Sequence, residues 1–269
     1  MKSMIDWTWG DISSGEVGPG PYSRFHLLWF FGMIVVCIIL GLTAARRHSN
    51  RADRVFISVC AVILAACEIF KQLFWYEFYG YYRFEIFPYQ FCSVPIYAAC
   101  IAAIVPSDKV REICYRFLAF YGIVGGIAVM LIPHAVLYTY FVPMSIHAML
   151  WHAVLVIMGV YLIISRGYGK KIREMLAPSV IFLCLVGLAI IGNILVYKLY
   201  LGTPACQPGD RLSMFYISPY YITELPVLDA VQRVSYPLFV LCYILLFCSF
   251  ALLVFGVSHL VRKLRREKM

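Results

Sequence analysis

Phe87-Pro88-Tyr89-Gln90-Phe91-Cys92-Ser93-Val94-Pro95-Ile96-Tyr97 opens the third of seven long apolar segments in this 269-residue chain. It places an amide, a thiol and a hydroxyl where lipid tolerates few polar groups, and prolines bracket them. Outward from this stretch, apolar runs of about 20 residues recur at 25–45, 55–76, 86–105, 113–132, 144–165, 176–200 and 237–260. Each is long enough to cross a hydrocarbon core of roughly 30 Å. A composition of 62% hydrophobic and 14% charged residues lies outside the soluble globular range and leaves no separate soluble domain. The expected fold is all-α, a seven-transmembrane-helix bundle. Its expected divisions are an outer N-terminal segment 1–24, a helical domain 25–261 and a basic tail 262–269.

The net charge of +9 is concentrated in patches at 46–54, 109–116, 166–173 and 262–268, which follow the first, third, fifth and seventh segments. Alternating spans bring all four to one face, and the positive-inside rule makes that face cytoplasmic. The N-terminus is therefore expected outside and the C-terminus inside, in a multi-pass protein of the cell membrane, bacterial plasma membrane being the expectation. Charge distributed in this way reports orientation and attraction to anionic lipid, and calls for no nucleic-acid partner. The ten cysteines contain no CxxC pair and lie mostly within apolar segments, so no disulfide framework is expected. Asp6, Asp11 and Glu16 stand where a cleaved signal peptide would carry a basic region.

A helix rises 1.5 Å per residue, so depth can be read from the span ends. Glu68, Lys71 and Gln72 lie roughly 6 to 12 Å below the outer end of segment two, on one face by their i, i+3, i+4 spacing. Cys92 lies about 9 Å into segment three, beside Gln90 and Ser93. His147 and His152 enter segment five by about 5 and 12 Å, Asn193 sits about 10 Å from the outer end of segment six, and His26 begins segment one. Five helices thus bring costly polar groups to one layer of the outer leaflet, as an inward-facing polar cavity would require. Each member also has a structural reading: Cys92 as a small apolar filler, the histidines and Asn193 as interhelical hydrogen bonds, Glu68 and Lys71 as a helix lock. Gly122, Gly125 and Gly126 read as close-packing positions.

Acting together, the set has constrained chemistry. An imidazole turns a thiol into the nucleophilic thiolate, and the same imidazole protonates a leaving alkoxide. Gln90, Ser93 or backbone donors near Pro95 stabilise an oxyanion. At that depth the carbonyls on offer are esters of outer-leaflet acyl lipid, so acyl transfer or hydrolysis on membrane phospholipid is expected, with no cofactor and no metal. One alternative is a zinc-dependent seven-helix lipid hydrolase drawing on His134, His147, His152, Glu68 and Cys92. Another is a non-enzymatic transporter or receptor built on Glu68 and Lys71.

Gln90-Phe91-Cys92-Ser93, with Pro88 before and Pro95 after, resembles the segment-three signature of the YwaF-like bacterial membrane proteins and of transmembrane protein 164. His26-Leu27, Glu68 with Lys71, Trp151-His152, Asn193 followed by Tyr197, and Ser218-Pro219-Tyr220-Tyr221 support it in order and spacing over residues 22 to 260. A more distant similarity reaches the androgen-induced gene 1 proteins, which hydrolyse fatty-acid esters. The resemblance implies a cysteine-dependent lipid acyltransferase with Cys92 as nucleophile and His152 as base.

Overall fold

The computed structural model describes residues 20–46, 49–137 and 141–266. Residues 1–19 of the expected outer segment and 267–269 of the basic tail lie outside the described residues. Among the described residues the architecture is all helical, with no strand: α1 (Arg24–Arg46), α2 (Asn50–Tyr79), α3 (Pro95–Ile104), α4 (Asp108–Phe117), α5 (Ile123–Leu131), α6 (Val142–Arg166), α7 (Leu176–Val196), α8 (Leu228–Val234) and α9 (Tyr236–Arg266). A π turn, Leu118–Gly122, joins α4 to α5 without a break, and a second, Tyr197–Leu201, extends α7.

Local chemistry fixes many of the ends. Ser49 and Ser107 cap α2 and α4 by accepting from Ala52 N and Val110 N at 3.0 and 3.5 Å. α2 and α6 stop at Gly80 and Gly167, whose left-handed φ of 73° and 61° a side chain would oppose. Among the described residues, six helical stretches are long and apolar enough to cross a membrane. The continuous helix expected from residue 86 does not form. Residues 87–94 are turns, and helix begins only at Pro95, whose missing N–H is harmless in a first turn. The ten residues of α3 rise about 15 Å, half of a hydrocarbon core.

α4–α5 and α6 form the centre. In their spans 72% of the most apolar window is buried, against 17 to 22% in the other four, which line the rim and turn leucine, isoleucine and phenylalanine outward. An outward apolar face belongs against lipid, so this is a multi-pass membrane protein. Glycines allow the centre to close: a Cβ at Gly126 would stand 2.8 Å from His152 O, and one at Gly159 would stand 3.0 Å from Leu118 O. At one end of the bundle, charges tie three helices together. Asp53, fully buried on α2, accepts from Tyr161 Oη at 3.0 Å and faces Arg166 Nη1 at 3.4 Å on α6. Arg166 Nη2 donates to Glu112 of α4 at 2.8 Å, and Glu112 also accepts from Arg116 at 3.0 Å. Arg54, Arg111 and Arg262, from three of the basic patches of the sequence, also lie at this end and donate to Val105 O, Ala102 O and Gly167 O.

Arg166→Gln removes the cation shared by Asp53 and Glu112. The expected cost is roughly 2 kcal/mol, below the full cost of breaking a buried pair because Tyr161 still donates to Asp53. Thermal unfolding in detergent measures it, and an unchanged midpoint would show that the cluster does not clamp the bundle.

Candidate active site

The stretch 86–94 is irregular backbone inside a bundle, where an unpaired polar group is costly. Its carbonyls are met one by one from several elements. Ile86 O accepts from Gln72 Nε2 at 2.8 Å, Phe87 O from Tyr89 N at 2.8 Å and Pro88 O from Tyr97 Oη at 2.9 Å. Tyr89 O accepts from Phe215 N at 3.2 Å, and Gln90 O takes Ser93 N and Val94 N at 2.8 and 3.1 Å. Cys92 O accepts from Trp151 Nε1 on α6 at 2.9 Å. Gly125 allows α5 to reach the same turn, since a Cβ there would meet Cys92 Cα at 3.2 Å.

Over this turn folds the loop between α7 and α9. Asn193 donates from Nδ2 to Met214 O at 3.1 Å and accepts Met214 N at 2.8 Å, so its amide is spent holding the loop. Phe215 inserts fully buried among Tyr89, Phe91 and Phe182, at the expense of a positive φ of 57°. Gln90 donates to Ser213 O at 2.9 Å. Beneath the loop lies a cavity of about 340 Å³, lined among others by Lys71, Glu85, Gln90, Ser93, Arg211 and Glu224.

Several of the expected residues do meet here. Lys71 pairs with Glu68 at 2.9 Å, and Gln72 donates to the same Glu68 oxygen at 2.6 Å. Glu68 Oε2 is buried without a partner. Lys71 lies near both the Cys92 thiol and the His147 ring, and the Ser93 hydroxyl neighbours the thiol. His147 sits over Trp151, ring centroids 5.8 Å apart, with Nε2 buried and unpartnered. His152 donates from Nδ1 to Ala148 O at 2.7 Å, since a carbonyl only accepts; Nε2 therefore keeps its lone pair, buried and without a partner. Cys92 and His152 are linked through two features: Trp151, which grips the Cys92 carbonyl, and Gly125-Gly126, which touch Cys92 on one residue and His152 O on the next.

Other expected members do not join. His26 is buried between α1 and α5, its Nε2 bonded to Met130 O at 3.0 Å, and serves that packing. Asn193 serves the loop. No three His, Cys, Asp or Glu side chains gather as a metal site among the described residues.

A model of the TMEM164 family matches residues 21–255. The chain belongs to the TMEM164 family. No curated protein and no solved structure matches it. The region shared with the TMEM164 family holds the whole Cys92 turn, its supports on α2, α5 and α6, and the covering loop, and ends within α9.

Sequence reading missed Tyr243 of α9. Its hydroxyl is buried without a partner, and its ring packs 4.4 Å from Phe247, which in turn packs 4.4 Å from Phe91, the residue before Cys92. The available signal was depth: seven residues into α9, a tyrosine is about 10 Å past the belt where its hydroxyl would meet headgroups. Asp210 was missed as well. Its Oδ1 accepts Phe84 N at 2.9 Å and anchors the loop.

Two outcomes follow from this geometry. Trp151→Phe keeps the ring and deletes the N–H, so the Cys92 turn loosens at a cost of about 1 kcal/mol. The Cys92 peptide should then alkylate faster by mass spectrometry, and an unchanged rate would show that the bond does not hold the turn. Burial pushes the Asp210 carboxyl above its ordinary value, partly offset by the amides of Phe84, Arg211 and Glu85 and by Arg83. The folded chain therefore holds this proton more readily than the unfolded chain. Its contribution to stability is largest below the ordinary carboxylate value and falls as pH rises through the folded one. Asp210→Asn should flatten that decline in melting temperature across about pH 4 to 6, and an unaltered slope would assign the decline to other groups.

Proposed function

We propose that this TMEM164-family protein is a membrane-embedded lipid acyltransferase or lipid hydrolase, with Cys92 as nucleophile and His152 as base, acting on acyl lipid of the outer leaflet. One observation carries the reading. Cys92 is a half-buried residue in a non-helical turn inside the bundle, and its near neighbours Gln90 and Ser93 line a cavity of about 340 Å³. The proposal takes the basic end as cytoplasmic, from the lysine and arginine bias, and so places the cavity toward the exterior.

The chemistry runs in two halves. His152 Nε2 takes the thiol proton, Cys92 Sγ bonds to the ester carbonyl carbon, and the carbonyl electrons move to oxygen. Collapse breaks the ester C–O bond, and the imidazolium returns its proton to the departing alkoxide, leaving lysolipid and an S-acyl Cys92. A second hydroxyl, from a lipid or from water, then gives its proton to His152 and attacks the thioester carbonyl; the C–S bond breaks, and the imidazolium returns the proton to the departing thiolate, which restores the thiol. The oxyanion donors nearest the sulfur are the Ser93 hydroxyl and turn amides. Gln90 is poorly suited, because it already donates to Ser213 O while its carbonyl oxygen is buried without a partner. Lys71 adds positive charge where the thiolate and the oxyanion develop, and Glu68 holds it in place.

The rival reading, a solute transporter or receptor using Glu68 and Lys71, is favoured by the polar lining of the same cavity. It asks for a polar route to the other end. Between the two ends lie fully buried Leu118, Phe120, Tyr121 and Phe182.

The test is acyl capture by the protein in nanodiscs with labelled phospholipid. Wild type should carry a hydroxylamine-labile acyl adduct on the Cys92 peptide. His152→Gln should slow lipid turnover by roughly 10²- to 10⁴-fold, and His147→Gln by less than about tenfold. Turnover that is unchanged in Cys92→Ala, with no adduct on wild type, would end the enzyme reading.

A further inference from the structure

At the opposite end of the bundle, the loop after α6 is welded onto the end of α9. Gly169 makes the weld: at φ +91°, a Cβ there would stand 2.9 Å from His259 N and 3.0 Å from Ser258 C. His259 Nδ1 donates to Gly169 O at 2.8 Å, and Arg262 Nη1 donates to Gly167 O at 2.8 Å. Between loop and helix lies a cavity of about 330 Å³ lined by Gly169, Lys170, Lys171, His259, Arg262 and Lys263. Lys170, Lys171 and Arg262 bring three cations to its wall, and none of the lining residues is a carboxylate. The nearest acid on the loop, Glu174, is turned back onto backbone, its Oε2 accepting Gly169 N and Lys170 N at 2.8 and 3.3 Å.

Gathering like charges around one hollow costs energy unless an anion fills it. The frame that gathers them is rigid, being fixed by a glycine, two side-chain bonds to loop carbonyls and a carboxylate on loop amides. His259 leaves Nε2 as the other polar atom of its ring, a donor to an anion once protonated. The site sits at the basic end of a membrane bundle, at the level of headgroups. Two turns deeper along α9, on the face that carries His259 and Lys263, Leu252 is exposed and offers a track for an acyl chain.

We propose that this cavity binds the phosphate of an anionic phospholipid, with the headgroup between Lys170, Lys171 and Arg262 and the tails along α9. Bound there, the lipid bridges the α6–α7 loop to α9. This site is separate from the Cys92 cavity and is independent of the activity proposed for it.

The experiment uses the full chain in detergent, with dioctanoyl phosphatidic acid, dioctanoyl phosphatidylcholine and inorganic phosphate as probes, read by native mass spectrometry and thermal shift. Phosphatidic acid should bind and raise the melting temperature, while phosphatidylcholine and phosphate at the same concentration should not. Lys170→Gln with Lys171→Gln, both exposed and so tolerant of change, should weaken that binding on the order of tenfold with the unliganded melting temperature unmoved. Arg51→Gln with Lys109→Gln, exposed elsewhere at the same end, should leave it as in wild type. Equal binding of phosphatidylcholine, an equal loss in the Arg51/Lys109 variant, or wild-type binding in the Lys170/Lys171 variant would each overturn the site. Saturation by inorganic phosphate alone would overturn its assignment to lipid.

Discussion

A backbone that leaves helix inside a membrane must find a hydrogen-bond partner for each exposed carbonyl and amide, because lipid supplies none. In this protein residues 87–94 impose that demand, and much of the surrounding structure answers it. Gln72 on α2, Tyr97 on α3, Trp151 on α6 and Phe215 of the covering loop each supply a donor to a carbonyl in or beside the turn. Had residues 86–94 continued as helix, these donors would have been unnecessary. Cys92 would then have been one more small residue in an apolar wall.

The same demand explains why so many polar side chains share one depth. Gln72, Gln90 and Asn193 look like chemistry when only their depth is known, yet each makes its bonds to backbone of the turn or of the loop above it. Among the groups left with unused capacity are Glu68 Oε2, Gln90 Oε1, His147 Nε2, His152 Nε2 and the hydroxyls of Tyr89 and Tyr243. A buried polar atom without a partner is expensive, so such a group beside a cavity is where a ligand has something to gain. The proposed acyl chemistry draws on this residue of unspent capacity.

The two ends of the bundle are built differently. At one, Asp53, Glu112, Arg116 and Arg166 neutralise one another between helices, and the remaining cations gather around the α6–α7 loop. At the other, aromatic rings and a long folded loop close over the turn. Charge holds the first end and hydrogen-bonded loop the second, with a dry aromatic core of Tyr121, Phe182 and Tyr243 between them.

The sequence by itself determined that the chain is helical, multi-pass and basic at one end, because apolar length and charge position are properties of local composition that lipid enforces directly. Cys92 with Gln90 and Ser93 was legible because two prolines and three polar side chains in an apolar segment are rare enough to notice. The shape of that segment was not legible. Whether a proline-bracketed stretch stays helical or opens into turns depends on donors that lie 14 residues away at Gln72, 59 at Trp151 and more than a hundred at Phe215 of the loop over it. The tertiary structure alone decided that His26 and Asn193 serve packing while Tyr243 reaches the Cys92 turn through Phe247 and Phe91, since a side chain's depth in the membrane says nothing of which way around its helix it points.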